Sequence, residues 1–226
     1  MEVGAGTGRN LDYYPQKYLK EVVLTDASDQ MLLKARDKIV EQNKKNSSNF
    51  FGTVKNEGNS LFKVFVANAE NMTKYYKENT FDTVVSTFTL CSFDDPVEVL
   101  RELQTVCKED GKILLLEHGR SKSFDGITNY LDRYAERHAK NWGCVWNRDL
   151  DDILDKAGVE IESIHTWHFG TTYYIVCRPS LKVKEERKLM KKLQLQEEQK
   201  SPEKNDTNVV DIGTMSWGKK FFYRSK

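Results

Sequence analysis

The chain contains no run of apolar residues approaching the ~20 needed for a membrane-spanning helix, so no transmembrane segment is expected in it. It carries almost no net charge, because 35 Lys and Arg oppose 34 Asp and Glu and leave a formal +1. That balance removes any global attraction to nucleic acid or anionic lipid, and DNA binding is not expected. Cysteine is scarce and dispersed. Cys91, Cys107, Cys144 and Cys177 form no CxxC pair and no Cys/His pair at zinc spacing, so they read as free buried thiols and no metal site is expected. No signal peptide or other targeting pattern opens the chain, because Met1 leads straight into a glycine-rich loop.

What is present suits one well-packed domain with a tail: 226 residues, 38% apolar and 31% charged. Short apolar, β-branched runs at residues 21–25, 62–67, 83–87, 111–117, 160–167 and 171–178 alternate with amphipathic stretches, the pattern of βα units around a parallel sheet. Met31, Leu32, Ala35 and Ile39 recur at helical spacing in 28–43, where Asp26 or Ser28 can cap the start. Pro96 opens a second helix with Val97, Leu100, Leu103 and Val106 as its stripe. Residues 127–142 and 149–157 read as further helices, the last closed by Gly158. The segment 44–60, rich in Asn, Ser, Gly and Lys, reads as a surface loop. Only a short link joins the last two strands, which predicts an antiparallel hairpin. The expected fold class is α/β, a doubly wound, mostly parallel sheet with an antiparallel terminal strand.

Composition changes at Pro179, which divides a domain over 1–179 from a charged tail over 180–226. Residues 183–200 predict a charged helix with Leu189, Leu193 and Leu195 as sparse apolar points, and 201–208 a polar linker. The end sets Trp217, Phe221, Phe222 and Tyr223 among Lys219, Lys220 and Arg224. This tail reads either as a solvated extension or as a docking element for a partner or anionic lipid.

Glu2-Val3-Gly4-Ala5-Gly6-Thr7-Gly8 has G-x-G-x-G spacing, not the G-x-G-x-x-G of pyrophosphate-binding loops. Such glycines let a chain turn sharply after a strand and let a ligand approach closely. The run 22–26 ends in Asp26, 18 residues after Gly8. A carboxylate there can accept hydrogen bonds from both ribose hydroxyls of an adenosine, and can equally cap a helix. Met31 is placed to lie against the adenine. Asn68, or the backbone N–H of Ala69, can read the adenine edge, and Thr87, Phe88 and Leu90 at the end of the fourth run face the remainder of the ligand. These features point to S-adenosylmethionine, whose carboxylate gains from the loop's N–H groups and whose ammonium Glu2 can answer. The cofactor-binding candidates are therefore Glu2, Gly4, Gly6, Gly8, Asp26, Met31, Asn68, Ala69 and Thr87.

Those blocks, in that order, resemble the UbiE-related, type 11 class I S-adenosylmethionine-dependent methyltransferases. Leu115-Leu116-Glu117-His118-Gly119, Trp142-Gly143-Cys144 with Asn147-Arg148, and Tyr173-Tyr174-Ile175-Val176-Cys177-Arg178-Pro179 narrow the likeness. They are similar to a branch holding thiol methyltransferase-like proteins and a fungal mitochondrial inner-membrane methyltransferase-like suppressor. The resemblance covers about residues 1–179 and implies a Rossmann-like domain, S-adenosylmethionine as cofactor and a mitochondrial, inner-membrane setting for a full-length form. In that family a helix and the upstream half of the first strand precede the glycine loop, so an N-terminally truncated domain with a clipped first strand is expected.

Methyl transfer from a sulfonium requires alignment above all, with a base for some acceptors. Candidate groups are Glu117, His118, His138 and Arg148. His118 leads, since it ends a strand beside the expected methyl position, although a structural histidine is an equally open reading. His165 and His168, on the terminal hairpin, carry little weight. Tyr130, Tyr134 and Trp142 either line an apolar acceptor pocket or, the commoner outcome at helical spacing, belong to the core. Three readings follow: a methyltransferase for a small, fairly apolar acceptor; a cofactor-binding respiratory assembly factor without turnover; and a nicotinamide-dependent oxidoreductase, which the loop spacing and terminal hairpin disfavour.

Overall fold

In the computed structural model, which describes residues 1–48 and 61–200, the apolar runs assemble into one seven-stranded sheet of order β3-β2-β1-β4-β5-β7-β6. Its strands are β1 Glu2–Val3, β2 Val22–Asp26, β3 Phe62–Val66, β4 Phe81–Thr87, β5 Cys107–His118, β6 Glu160–Trp167 and β7 Thr172–Arg178. Pairing is parallel from β3 through β5. β7 runs antiparallel to both β5 and β6, with Leu115 opposite Ile175 and His118 opposite Thr172. The hairpin forms as the short link predicts, and β7 takes the inner place because its alternate residues Tyr173, Ile175 and Cys177 are buried while most of β6 is exposed.

Five α-helices among the described residues pack with the sheet or follow it: α1 Asp29–Ser48, α2 Pro96–Val106, α3 Asp125–Trp142, α4 Leu150–Ala157 and α5 Leu181–Lys200. On β2, Val23 joins one buried apolar cluster while Val22 and Leu24 join another, as the two-residue side-chain period of a sheet covered on both faces requires. Leu32, Ala35 and Ile39 dock α1. Val99, Leu100, Leu103 and Val106 dock α2, whose N-terminus Asp95 caps by accepting from the Glu98 N–H at 2.9 Å. Gly158 closes α4 in the left-handed conformation, at φ +67°.

Some expectations required correction. Residues 44–48 continue α1, since no Gly or Pro interrupts it from Asp29 to Ser48; the rest of the expected loop, 49–60, lies outside the described residues. Met31 stands off the buried stripe of α1. Val97 is only partly buried, and Val99 takes the core place on that turn of α2. Tyr130, Tyr134 and Trp142 are not core, because α3 buries none of its residues and these rings are exposed.

The compact unit runs past the composition change at Pro179, over Met1–Lys188. Two residues on the first turns of α5 account for this. Lys184 is buried and donates to the Cys107 carbonyl and to Asn79 Oδ1. Arg187 pairs with Glu98 and with the buried Glu102. A second unit begins at Leu189. The predicted linker and aromatic, basic end at 201–226 lie outside the described residues.

Candidate cofactor site and adjoining cavity

β1 lies between β2 and β4, so the chain winds outward through β2 and β3 and then returns across the sheet. That reversal leaves a crevice at the carboxyl ends of β1 and β4, the usual ligand position in such sheets. The glycine loop leaves β1 there. Gly4, Gly6 and Gly8 have φ of +60°, +54° and +69°, a region that L side chains adopt at a penalty. Their surroundings differ. A Cβ on Gly4 would fall 2.3 Å from Thr89 Cγ2, and one on Gly8 2.7 Å from Leu11 Cδ1, so both serve close packing. A Cβ on Gly6 would meet nothing nearer than the Gly4 carbonyl oxygen at 4.0 Å. Gly6 therefore borders open space that a side chain would fill.

Asp26, at the end of β2, holds this loop. Its Oδ2 accepts from the Gly6 N–H at 2.9 Å, and its Oδ1 from the Ser28 N–H at 2.8 Å. A carboxylate offers about four acceptor positions, so each oxygen can take a further donor. The proposed ribose role and the local capping role are thus compatible. Met31 sits half-exposed on the first turn of α1. Asn68 follows β3 and turns the chain, its Oδ1 accepting from the Glu70 N–H at 2.9 Å; Ala69 beside it is buried.

Glu2 is differently placed from a free counter-charge for an ammonium group. It is buried, and its two oxygens accept from Asn10 Nδ2 at 2.9 Å and from the Tyr14 hydroxyl at 2.7 Å. Burial pushes its pKa up, and the Tyr14 and Asn10 hydrogen bonds oppose that rise. Asn10 also donates to Thr87 Oγ1 at 3.1 Å, which ties the loop to the end of β4. Asn10 and Tyr14 were not legible as site residues, because they lie in irregular turns that carry no periodic signal.

Directly after Thr87 the chain borders a cavity of about 510 Å³, lined by residues including Phe88, His118, Tyr130, Trp146, His168 and Phe169. Three of these, Phe88, His168 and Phe169, hold φ of +53°, +50° and +58°. His168 and Phe169 lie in the tight turn between β6 and β7, which calls for positive φ, whereas at Phe88 such a conformation persists only where the surroundings enforce it. Phe88 is held by donating its N–H to the Leu116 carbonyl at 2.8 Å. His168 thus gains a place that its hairpin position had not suggested, while His165 is exposed outside the cavity lining. His138 stacks on Trp146, with ring centres 3.8 Å apart, and supports that wall from behind. Arg148 donates to the Phe93 carbonyl, a loop-fixing contact.

Glu117 lies beneath, wholly buried. It accepts from the Ser86 hydroxyl at 2.7 Å and from the N–H groups of Thr89 and Leu90 at 2.9 and 3.2 Å. Desolvation pushes its pKa up to about 7 against those bonds. Its contacts make it a clamp for the loop after β4. His118 faces the cavity, with Nε2 3.1 Å from Cys144 Sγ; burial, and then the nearby His138, lower its pKa.

A family model described as "Methyltransferase domain" matches residues 1–115. The chain is 36% identical over 192 residues to the mitochondrial methyltransferase OMS1 of Saccharomyces cerevisiae, covering 84% of this chain and 40% of that protein. This chain belongs to the methyltransferase domain family. It is also 30% identical over 118 residues to the thiol S-methyltransferase TMT1B of Mus musculus, covering 52% of this chain and 41% of that one. The chain thus spans less than half the length of these relatives. A solved S-adenosylmethionine-dependent methyltransferase from Aquifex aeolicus shares the fold at TM-score 0.52 and 18% identity, over 79% of this chain and 80% of that chain.

Within the methyltransferase family the architecture is the class I, Rossmann-like one, with the reversed β7 that an ordinary dinucleotide-binding sheet usually lacks. The oxidoreductase reading falls on that topology and on the family match. The assembly-factor reading draws on the segment 209–226, outside the described residues. Among the described residues no helix is long and apolar enough to cross a membrane.

Proposed function

We propose that this domain binds S-adenosylmethionine over Gly4–Gly8 and Asp26 and methylates a small, fairly apolar acceptor held in the cavity beside it. The observation that carries the reading is the join at Thr87-Phe88. Thr87 is hydrogen-bonded through Asn10 to the glycine loop, and the next residue lines the cavity. Two consecutive residues therefore connect the glycine-loop crevice to the aromatic-lined cavity, as transfer between adjacent ligands requires.

The cofactor supplies an activated methyl group when bound. The chain's own residues bind and orient. Gly6 leaves room for the ligand, Asp26 offers acceptor positions to the ribose hydroxyls, and Met31 and Asn68 flank the adenine. Glu2, held by Asn10 and Tyr14, stiffens the loop. Phe88, Tyr130, Trp146 and Phe169 present ring surface to the acceptor. Holding two reactants in line in this way contributes on the order of 7–11 kcal/mol to such reactions. His118 is the group we assign to acting on the acceptor, since it presents a ring to the cavity at the end of β5.

The mitochondrial name of the yeast relative supports a mitochondrial location for this domain. Titration of S-adenosylhomocysteine tests the cofactor site directly. The expected result is one site per chain, lost in Asp26→Ala, together with transfer of labelled methyl into a small-molecule fraction of a cell extract. A folded chain that neither binds S-adenosylhomocysteine nor transfers label refutes the reading.

A further inference from the structure

Cys91, His118 and Cys144 come from three separate segments: the loop after β4, the end of β5 and the loop between α3 and α4. Folding gathers them so that Cys91 Sγ, a ring nitrogen of His118 and Cys144 Sγ all lie within 4.8 Å of one another. Two thiols and an imidazole are the donor set that soft divalent ions prefer, and three protein ligands with an open fourth position define a catalytic zinc centre. Zinc–sulfur and zinc–nitrogen bonds of about 2.3 and 2.0 Å set neighbouring ligands ~3.5 Å apart in a tetrahedron. The 3.1 Å between His118 Nε2 and Cys144 Sγ is close to that edge.

The surroundings hold these donors in place. The Val145 N–H donates to the Cys91 carbonyl at 2.9 Å and locks the two cysteine loops together. Glu117 grips Thr89 and Leu90, just before Cys91. Gly143, at φ +64°, ends α3 and turns the chain so that Cys144 follows at once. Cys91 and Cys144 are 3% and 9% exposed and lie outside the cavity lining, while His118, the third donor, lines the cavity beside Phe88.

We propose that Cys91, His118 and Cys144 bind one soft divalent metal ion, zinc by its chemistry, with its fourth position directed into the acceptor cavity. The metal-binding part stands by itself; the use of the open position rests on the methyltransferase reading above. There an acceptor able to ionise to a soft anion, a thiol foremost, loses its proton to solvent on coordination. Its sulfur then forms a bond to the methyl carbon while the methyl–sulfonium bond breaks, and that bond's electron pair stays on the departing sulfur. His118 thus acts on the acceptor through the ion rather than as a lone base.

The test uses the full chain, reduced with a phosphine, stripped with chelator and reloaded with Zn²⁺ or Co²⁺. One metal per chain should survive gel filtration, and the cobalt form should show thiolate-to-metal charge-transfer absorption. Cys91→Ser and Cys144→Ser should each weaken binding at least tenfold, and Cys177→Ala should not change it. Benzenethiol should shift the cobalt spectrum. A folded wild-type chain that retains no metal overturns the proposal, as does a Cys91→Ser/Cys144→Ser double variant with unchanged stoichiometry. Formation of a Cys91–Cys144 disulfide with no metal uptake after reduction overturns it too. An unshifted cobalt spectrum removes the open position. Calorimetry with S-adenosylhomocysteine on the same samples separates the two readings: product binding without metal rejects only this site, and metal without product binding rejects the methyltransferase reading.

Discussion

Replacing Glu117 by Gln should leave the fold intact and remove the loss of stability that Glu117 contributes between pH 4.5 and 7. The carboxyl is wholly buried, and its pKa rises from 4.5 to about 7 because burial penalises the charged form more than its donors relieve it. A folded pKa above the unfolded one means that the native state favours the protonated acid. The stabilisation is therefore complete below about pH 4.5 and is lost as pH climbs through about 7. At about 1.4 kcal/mol for each whole step of pKa, the change amounts to about 3 kcal/mol. Glutamine reproduces the protonated group. Its carbonyl can accept from the Thr89 and Leu90 N–H groups, now bound to Oε2, while its amide nitrogen can donate to the hydroxyls of Ser86 and Thr89, now near Oε1. Urea unfolding of the reduced, metal-free protein at several pH values measures this, with the variant set against wild type so that other titrating groups, Glu2 among them, cancel. Wild type should lose stability across the window relative to Glu117→Gln. Equal slopes in the two proteins refute the assignment of a protonated, buried Glu117. Glu117→Ala should be destabilised by ~1–3 kcal/mol for each N–H left without a partner.

Asp26→Ala should weaken S-adenosylhomocysteine binding at least ~100-fold by calorimetry, since charge-assisted hydrogen bonds contribute about 1.5–3 kcal/mol each; binding within threefold of wild type would contradict the ribose role. Gly4→Ala and Gly6→Ala should differ in kind. The added methyl at Gly4 strikes Thr89 at 2.3 Å and should lower stability by more than the ~1–3 kcal/mol of ordinary overpacking. At Gly6 the methyl meets open space, so only the left-handed strain of ~1–2 kcal/mol applies and ligand affinity suffers instead; thermal unfolding beside calorimetry would show the split. Glu102→Ala should destabilise the fold by ~1–3 kcal/mol, because Glu102 is 3% exposed and accepts from the Thr73 N–H at 2.7 Å as well as from Arg187. A urea midpoint unchanged from wild type would remove α5 from the account of the domain.

Local pattern alone determined a good deal. Strand and helix positions, the helix start at Pro96, the cap at Gly158 and the terminal hairpin follow from side-chain period, φ preference and link length, all of which act over a few residues. The glycine loop and Asp26 were legible for the same reason, since a fixed spacing along two adjacent strands brings them together. Tertiary structure decided the rest. Nothing in the sequence says that Gly6 borders space while Gly4 and Gly8 fill it, because that depends on Thr89 and Leu11 arriving from elsewhere. The spacing of the aromatic residues of α3 left both core and pocket open; the sheet's faces are covered by other elements, so Tyr130 lines the cavity while Tyr134 and Trp142 stay exposed. Glu2 found Asn10 and Tyr14, and Lys184 found a carbonyl on β5, through contacts whose partners no periodicity marks. Most consequentially, Cys91, His118 and Cys144 show no metal-ligand spacing in the chain. Only the return of β5 beside β4, and of the loop after α3 over both, sets their donor atoms within 4.8 Å.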